Sequence, residues 1–200
     1  MPCKCATSHA ADEFENLRVR PEELDEVDQI KKESCPLETL APVEEFSGKC
    51  SVLLQAYVSK ARISSFTLIS DTNYIASNAG RVARALFEMC LKTGNAAAAL
   101  KFLRLAKSID QRFWWFQSPL RAFSHELKKN VFDTLEDSRI AEGGYNTFER
   151  VISLLDMEPK EVGQLCHCFR DGALIQKFVR MLPRVEVSCT VHPITRNTLR

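Results

Sequence analysis

Residues 70–92 read SDTNYIASNAGRVARALFEMCLK, and their periodicity decides how the rest of the chain is read. Ile75, Ala79, Val82, Leu86 and Met89 recur at alternating steps of four and three, the spacing that lines one face of an α-helix. At about 100° per residue, Ser77, Arg81, Arg84, Glu88 and Lys92 fall on the opposite side. Asn78 lies on one flank and Gly80 on the other. Ser70 or Asp71 is placed to cap the start by accepting from an unpaired backbone amide, and Gly94 follows the end. The expectation is a long helix with a packed back and a polar front carrying two arginines. Periodicity alone is equally satisfied by a core helix whose charged face meets only water.

The flanking sequence also reads as helix. Pro21 opens a helix at the first-turn position, with Glu22, Glu23 and Asp25 near its start and Lys31 and Lys32 near its end. Residues 35–48 hold two prolines and no period, as in a linker or wrapped loop. The run SGKCSVLLQAYV turns Val52, Leu53, Ala56 and Tyr57 inward. After Gly94, a helix with Leu100, Leu103, Leu105 and Ile109 apolar ends at the aromatic run from Phe113 to Phe116, a run that reads as packing more readily than as a base-stacking platform. Ser118-Pro119 turns into a short helix through Leu127, Val131 and Leu135. Gly143-Gly144 marks a boundary, followed by three short helices, the second opened by Pro159 and the third capped by Asp171 and stopped by Pro183. Val185, Val187, Cys189 and Val191 then alternate as one face of a strand, which needs a sheet partner.

The bulk numbers narrow the function classes. With 45% apolar and 26% charged residues and seven glycines among 200, the chain can bury one core or one core and a small satellite. The net charge of +1, from 27 basic and 26 acidic residues, gives no global attraction for nucleic acid. Such binding must come from a local basic strip. No apolar run is long enough to cross a bilayer and no signal-peptide layout opens the chain, so the sequence reads as soluble and nuclear or cytosolic. The eight cysteines are then expected as reduced thiols, with Cys50, Cys90 and Cys189 as small core residues. Cys3, Cys5 and His9, and Cys166-His167-Cys168, lack zinc-finger spacing, so no metal is expected.

Catalytic motifs are missing as well. The sequence holds no GxxxxGK[ST] phosphate loop, GxGxxG turn, GxSxG elbow or HExxH helix. The histidines at 9, 125, 167 and 192 stand apart with no evident nucleophile beside them. The chain by itself reads as an accessory or binding module, not an enzyme.

Three stretches carry a family resemblance: EFENLRVRPEE near the start, KCSVLLQAYVSKARISSFTLISDTNYIASNAGRVARALFE in the middle and FVRMLPRVEVSCTVHPITRNTLR at the end. IDQRFWWFQSPLRAF and LLDMEPKEVGQL fit in order and spacing, so the resemblance covers residues 14–200. Together they resemble the Sec-63-type domain of the large tandem-cassette, Ski-two-like RNA helicases of superfamily two. That family includes a spliceosomal helicase and the helicase subunit of the activating signal cointegrator complex.

The resemblance implies a mainly α architecture. After a frayed N-terminus at 1–13 come a Sec-63-type helical bundle at 14–140, a helix-loop-helix domain at 145–183 and, at 184–200, the start of an immunoglobulin-like β-sandwich. It also implies that the helix at 70–92 is a ratchet helix lying along a translocating single strand of RNA or DNA. Asn78, Ala79, Gly80 and Arg81 stand where the family usually has Ser-Ala-Gly-Arg, and Ser77 and Arg84 share that face. No cofactor is implied for this chain; ATP and magnesium belong to RecA-like motor domains, implied as partners beside other proteins of a ribonucleoprotein complex. The segment EDSRIAEGGYNTFER looks longer than usual for the family. The rival readings are a protein-interaction scaffold and a translocation component of the endoplasmic reticulum, the latter calling for membrane-spanning and J-domain segments that the sequence lacks.

Overall fold

The structure, a computed structural model, describes residues 17, 19–136, 147–185, 187–191, 193–195 and 198–199. Expectations for the frayed terminus, for Cys3, Cys5 and His9, and for Gly143-Gly144 lie outside them. The chain is mainly helical and divides into two compact units, Met1–Gln117 and Ser118–Arg200.

In the first unit, a 3-10 turn at Pro21–Glu23 leads into α1 (Leu24–Ser34). The acids of its first turn and the lysines of its last oppose the helix dipole at each end, as the sequence implies. Helix α2 spans Phe46–Val58, and α3, Phe66–Lys92, is the long helix. Gly94, at φ 72°, and Asn95, whose side chain accepts from the Ala98 amide at 3.1 Å, reverse the chain into α4 (Ala96–Gln111). One core cluster joins Val27 and Ile30 of α1 to Val52 and Leu53 of α2 and Leu68 and Ile75 of α3. A second joins Ala79 and Ala83 of α3 to Ala106 and Ile109 of α4, where small side chains let the two helices approach closely. Gly48 shows how tightly α2 packs, since a Cβ there would lie 1.8 Å from the carbonyl oxygen of Pro42.

Helix α3 begins earlier than its sequence suggests. Ser70 and Asp71 sit inside it rather than capping it, and the cap residue Ser65 makes no side-chain capping bond, its hydroxyl meeting that of Thr67 at 2.7 Å. The Glu26 carboxylate of α1 instead accepts from the amides of Ser64 and Ser65 at 2.6 and 3.2 Å, a tertiary substitute for a local cap. Asp71 accepts from Lys49 at 2.7 Å. The buried stripe is Leu68, Thr72, Ile75, Ala79, Gly80 and Ala83; Val82 and Leu86 are half-buried and Met89 is 57% exposed. Leu100 of α4, expected inward, is exposed as well, and Ala99, Ala106 and Ile109 take the core positions.

The second unit is built from short helices. A 3-10 turn at Pro119–Phe123, capped by the Ser118 hydroxyl, precedes α5 (Lys129–Glu136), α6 (Thr147–Ser153), α7 (Pro159–Leu165) and α8 (Gly172–Met181). Helices of this length hold only by mutual packing, here around Leu120, Val131, Leu154, Val162 and Ile175. Pro159 does open its helix, with Glu158 and Glu161 forming a reciprocal capping box. Asp171 precedes α8 without a side-chain cap bond and pairs with Lys128 at 2.7 Å. Arg121 grips Glu136 with two hydrogen bonds of 2.6 and 2.7 Å.

The alternating run from Val185 to Val191 forms no strand among the described residues. Val185 and Val187 are 81% and 88% exposed, because a lone extended segment has no neighbour to satisfy its backbone. Pairing occurs further on, where β1 (Pro193–Thr195) lies antiparallel to β2 (Thr198–Leu199). Cys189 is exposed rather than in a core, Cys50 and Cys90 are half-buried, and Cys166 and Cys168 are the buried pair.

Candidate nucleic-acid interface

The polar front of α3 survives folding. Ser77, Arg81, Arg84, Glu88 and Lys92 are all exposed, and Asn78 is half-buried at the flank. The face is tied into its own helix. The Ser77 hydroxyl donates to the Asn73 carbonyl at 2.8 Å, and the Asn78 amide donates to that of Tyr74 at 3.0 Å. Arg81 Nη2 donates to Asn78 Oδ1 at 3.3 Å, so these two side chains present a joined amide and guanidinium edge.

Arg84 differs from Arg81. Its Nε donates to the Gly80 carbonyl at 3.2 Å and its Nη2 to Asp110 Oδ1 of α4 at 3.0 Å, a pair in which both side chains are about half exposed. Gly80 therefore lies under the Arg84–Asp110 bridge. A Cβ added there would meet Arg84 Nη2 at 3.2 Å, Asp110 Oδ1 at 3.6 Å and Ile109 Cγ2 at 3.7 Å. The nearest atom is the end of a flexible side chain, so the neighbouring helix backbone does not demand glycine.

Beside the bridge a concavity of about 290 Å³ opens between Tyr57, Asn73, Ser77, Gly80, Arg84 and Asp110. Tyr57 is fixed by Arg112, whose Nε donates to the Tyr57 carbonyl at 3.2 Å and whose guanidinium lies 4.4 Å from the ring centre. Arg112 reaches it from a left-handed backbone position, φ 55°, just past the end of α4. The structure thus brings four of the sequence-derived residues, Ser77, Asn78, Arg81 and Arg84, to one exposed face and places Gly80 beneath it. Asp110 and Asn73 are not singled out by sequence, and Tyr57 is singled out there only as an inward-facing residue of its helix. Asp110 stands 26 residues from Arg84, and no local pattern marks such a partner.

This surface carries hydrogen-bond donors suited to binding. Two guanidinium groups offer donors to phosphate oxygens or a flat face to a base, while Asn78 and Asn73 offer amides. The Ser77 proton is committed to a backbone carbonyl, and no histidine lines the concavity. Among the described residues no three His, Cys, Asp or Glu side chains converge as a metal site would need. No described helix is long and apolar enough to cross a membrane.

The Sec63 Brl domain family matches residues 7–200. The chain belongs to the Sec63 Brl domain family. This Sec63 domain is 38% identical over 190 residues to activating signal cointegrator 1 complex subunit 3 of Gallus gallus, an alignment covering 95% of the chain. It is 38% identical over 188 residues to the U5 small nuclear ribonucleoprotein 200 kDa helicase of Drosophila melanogaster, and 36% identical over 188 to the DExH-box ATP-dependent RNA helicase DExH14 of Arabidopsis thaliana, with 94% of the chain covered in each. In all three comparisons the Sec63 domain spans only 8% of the relative's length.

Proposed function

We propose that this chain is a strand-guiding accessory domain of an ATP-dependent RNA helicase. In this reading α3 is a ratchet helix. Arg81 contacts a phosphate or base, Asn78 and Ser77 add short polar contacts, Gly80 permits close approach, and Arg84 joins when its bridge to Asp110 opens. ATP and magnesium are used by RecA-like domains outside these residues. The helix-loop-helix domain at 145–183 and the opening of a β-sandwich at 184–200 complete the family layout, and the protein works in the nucleus or cytoplasm within a ribonucleoprotein complex.

The observation that carries the proposal is the grouping of Ser77, Asn78, Arg81 and Arg84 on one exposed helix face, in a chain of net charge +1 where binding must be local. Fluorescence anisotropy with a labelled oligouridylate tests it. With one or two arginines engaged, log affinity should fall with log salt at a slope of about −0.7 to −1.4, and Arg81→Ala should weaken binding. A slope near zero, or full affinity in Arg81→Ala, contradicts it.

A protein-docking role has its own support. Trp115 and Phe116 are 42% and 45% exposed although they follow the buried Trp114 directly.

A further inference from the structure

Helix α4 and the chain just beyond it frame a second concavity, of about 270 Å³, lined by Arg104, Lys107, Ser108, Gln111, Phe113 and Trp115. It shares no lining residue with the concavity at Arg84 and Asp110. Helix α4 carries three cations, Lys101, Arg104 and Lys107, and one acid, Asp110, which Arg84 already engages. Among the described residues, neither Arg104 nor Lys107 has an acidic partner. The positive charge at this mouth is therefore left unneutralised.

Inside, Ser108 is 2% exposed and its hydroxyl has no hydrogen-bond partner among the described residues. A hydroxyl so deeply buried is out of reach of a ligand in the concavity, so Gln111 is the neutral polar side chain that lines it within reach. The ring at the rim is well placed. Trp115 lies edge-on to Trp114 at 5.5 Å, and Trp114 is anchored by its indole N–H to Ser59 Oγ at 2.9 Å.

We infer that this pocket receives a tryptophan or tyrosine side chain from an acidic segment of a partner protein. The ring enters against Phe113 and Trp115, its single N–H or O–H meets the Gln111 side-chain amide, and flanking carboxylates pair with Arg104 and Lys107. The chemistry of the walls separates this occupant from a nucleobase. A base brings several polar edge atoms, whereas the pocket offers only Gln111 among rings and aliphatic stems, which would leave edge atoms unpaired. The inference rests on the docking reading and not on strand guiding.

The test titrates the whole chain into a fluorescein-labelled peptide with one tryptophan between two pairs of glutamates. Controls are the same peptide with alanine for tryptophan, one with lysines for the glutamates, and a ten-nucleotide oligouridylate. The tryptophan peptide should saturate below about 1 mM, and both control peptides should bind at least about tenfold more weakly. Arg104→Glu and Lys107→Glu, exposed sites at which the helical circular dichroism should be unchanged, should each weaken it by about fivefold or more. Gln111→Ala should weaken it about threefold to tenfold, and Arg81→Ala should leave it unaltered. Equal binding of the lysine peptide overturns the inference, as does indifference to both charge reversals. It also falls if Lys107→Glu weakens the oligouridylate alone.

Discussion

Lys49→Met probes the interaction that fastens three segments of the first unit together. Lys49 is 1% exposed, and its ammonium donates to Glu23 at 2.9 Å and Asp71 at 2.7 Å. Glu23, itself 4% exposed, also accepts from Arg20 at 2.6 Å and from the Thr67 hydroxyl. The network links the turn before α1 to α2 and to the first turns of α3. Methionine keeps the aliphatic stem but leaves two carboxylates facing each other, and breaking a buried pair in this way costs about 3–5 kcal/mol. Asp71 is 16% exposed and Arg20 41%, so solvent relieves part of that, and a loss of about 3 kcal/mol is expected. Replacing the carboxylates as well, in Lys49→Met/Glu23→Gln/Asp71→Asn, should restore much of the loss.

Acid should act on the same network. Burial pushes the Glu23 carboxyl up, but hydrogen bonds from Thr67, Lys49 and Arg20 outweigh it and hold it down at about 2, from 4.5. A carboxyl lowered in the folded state stabilises above its unfolded value. That stability should be complete above about pH 4.5 and be lost as pH falls towards 2. Discounted for solvent near Arg20, it amounts to about 2 kcal/mol. Both tryptophans, at 114 and 115, lie in the first unit, so urea melts followed by their fluorescence report this unit. A Lys49→Met variant within about 1 kcal/mol of the parent, or with the parent's acid profile unchanged, would refute the reasoning.

The remaining predictions concern single positions. Gly172→Ala places a Cβ 1.8 Å from the Pro159 carbonyl oxygen and 3.0 Å from the Gly163 amide nitrogen, so it should destabilise the second unit by about 3 kcal/mol or more, read by hydrogen exchange in α7 and α8. Gly80→Ala should instead be neutral to about 1 kcal/mol stabilising in urea, because Arg84 can shift and alanine favours helix. If Gly80 serves strand approach, the same variant binds oligouridylate more weakly. Arg121→Lys forfeits the two-point grip on Glu136 and should cost about 1–2 kcal/mol in thermal melts. Burial pushes the Cys166 thiol up to about 11, so maleimide should label exposed Cys189 well before Cys166.

Sequence legibility followed the range of the interactions. The helices were readable because the steps to Ile75 and Ala79, and the punctuation at Pro21, Gly94, Pro159 and Pro183, act within a few residues. The start of α3 was not, because its first turn is held by Glu26 and Glu23, 38 and 44 residues away. The outer end of the α3 stripe failed at Met89, and the start of the α4 stripe at Leu100, since periodicity assigns a face without saying where the neighbouring element stops. The alternation from Val185 to Val191 specifies a face, and only a pairing partner makes a strand, so among the described residues that run stays unpaired. The front of α3 was legible down to its residues, whereas the concavity beside it required Tyr57 and Asp110 from two other helices.

The central claim, that the polar front of α3 runs along a single strand, is tested most directly by photocross-linking. The chain would be irradiated with an oligouridylate carrying 4-thiouridine, and the adducts mapped by mass spectrometry. The account predicts adducts concentrated between Asn73 and Arg84 and lost in Arg81→Ala. Adducts confined to other helices, with the Asn73–Arg84 segment unmodified, would contradict it.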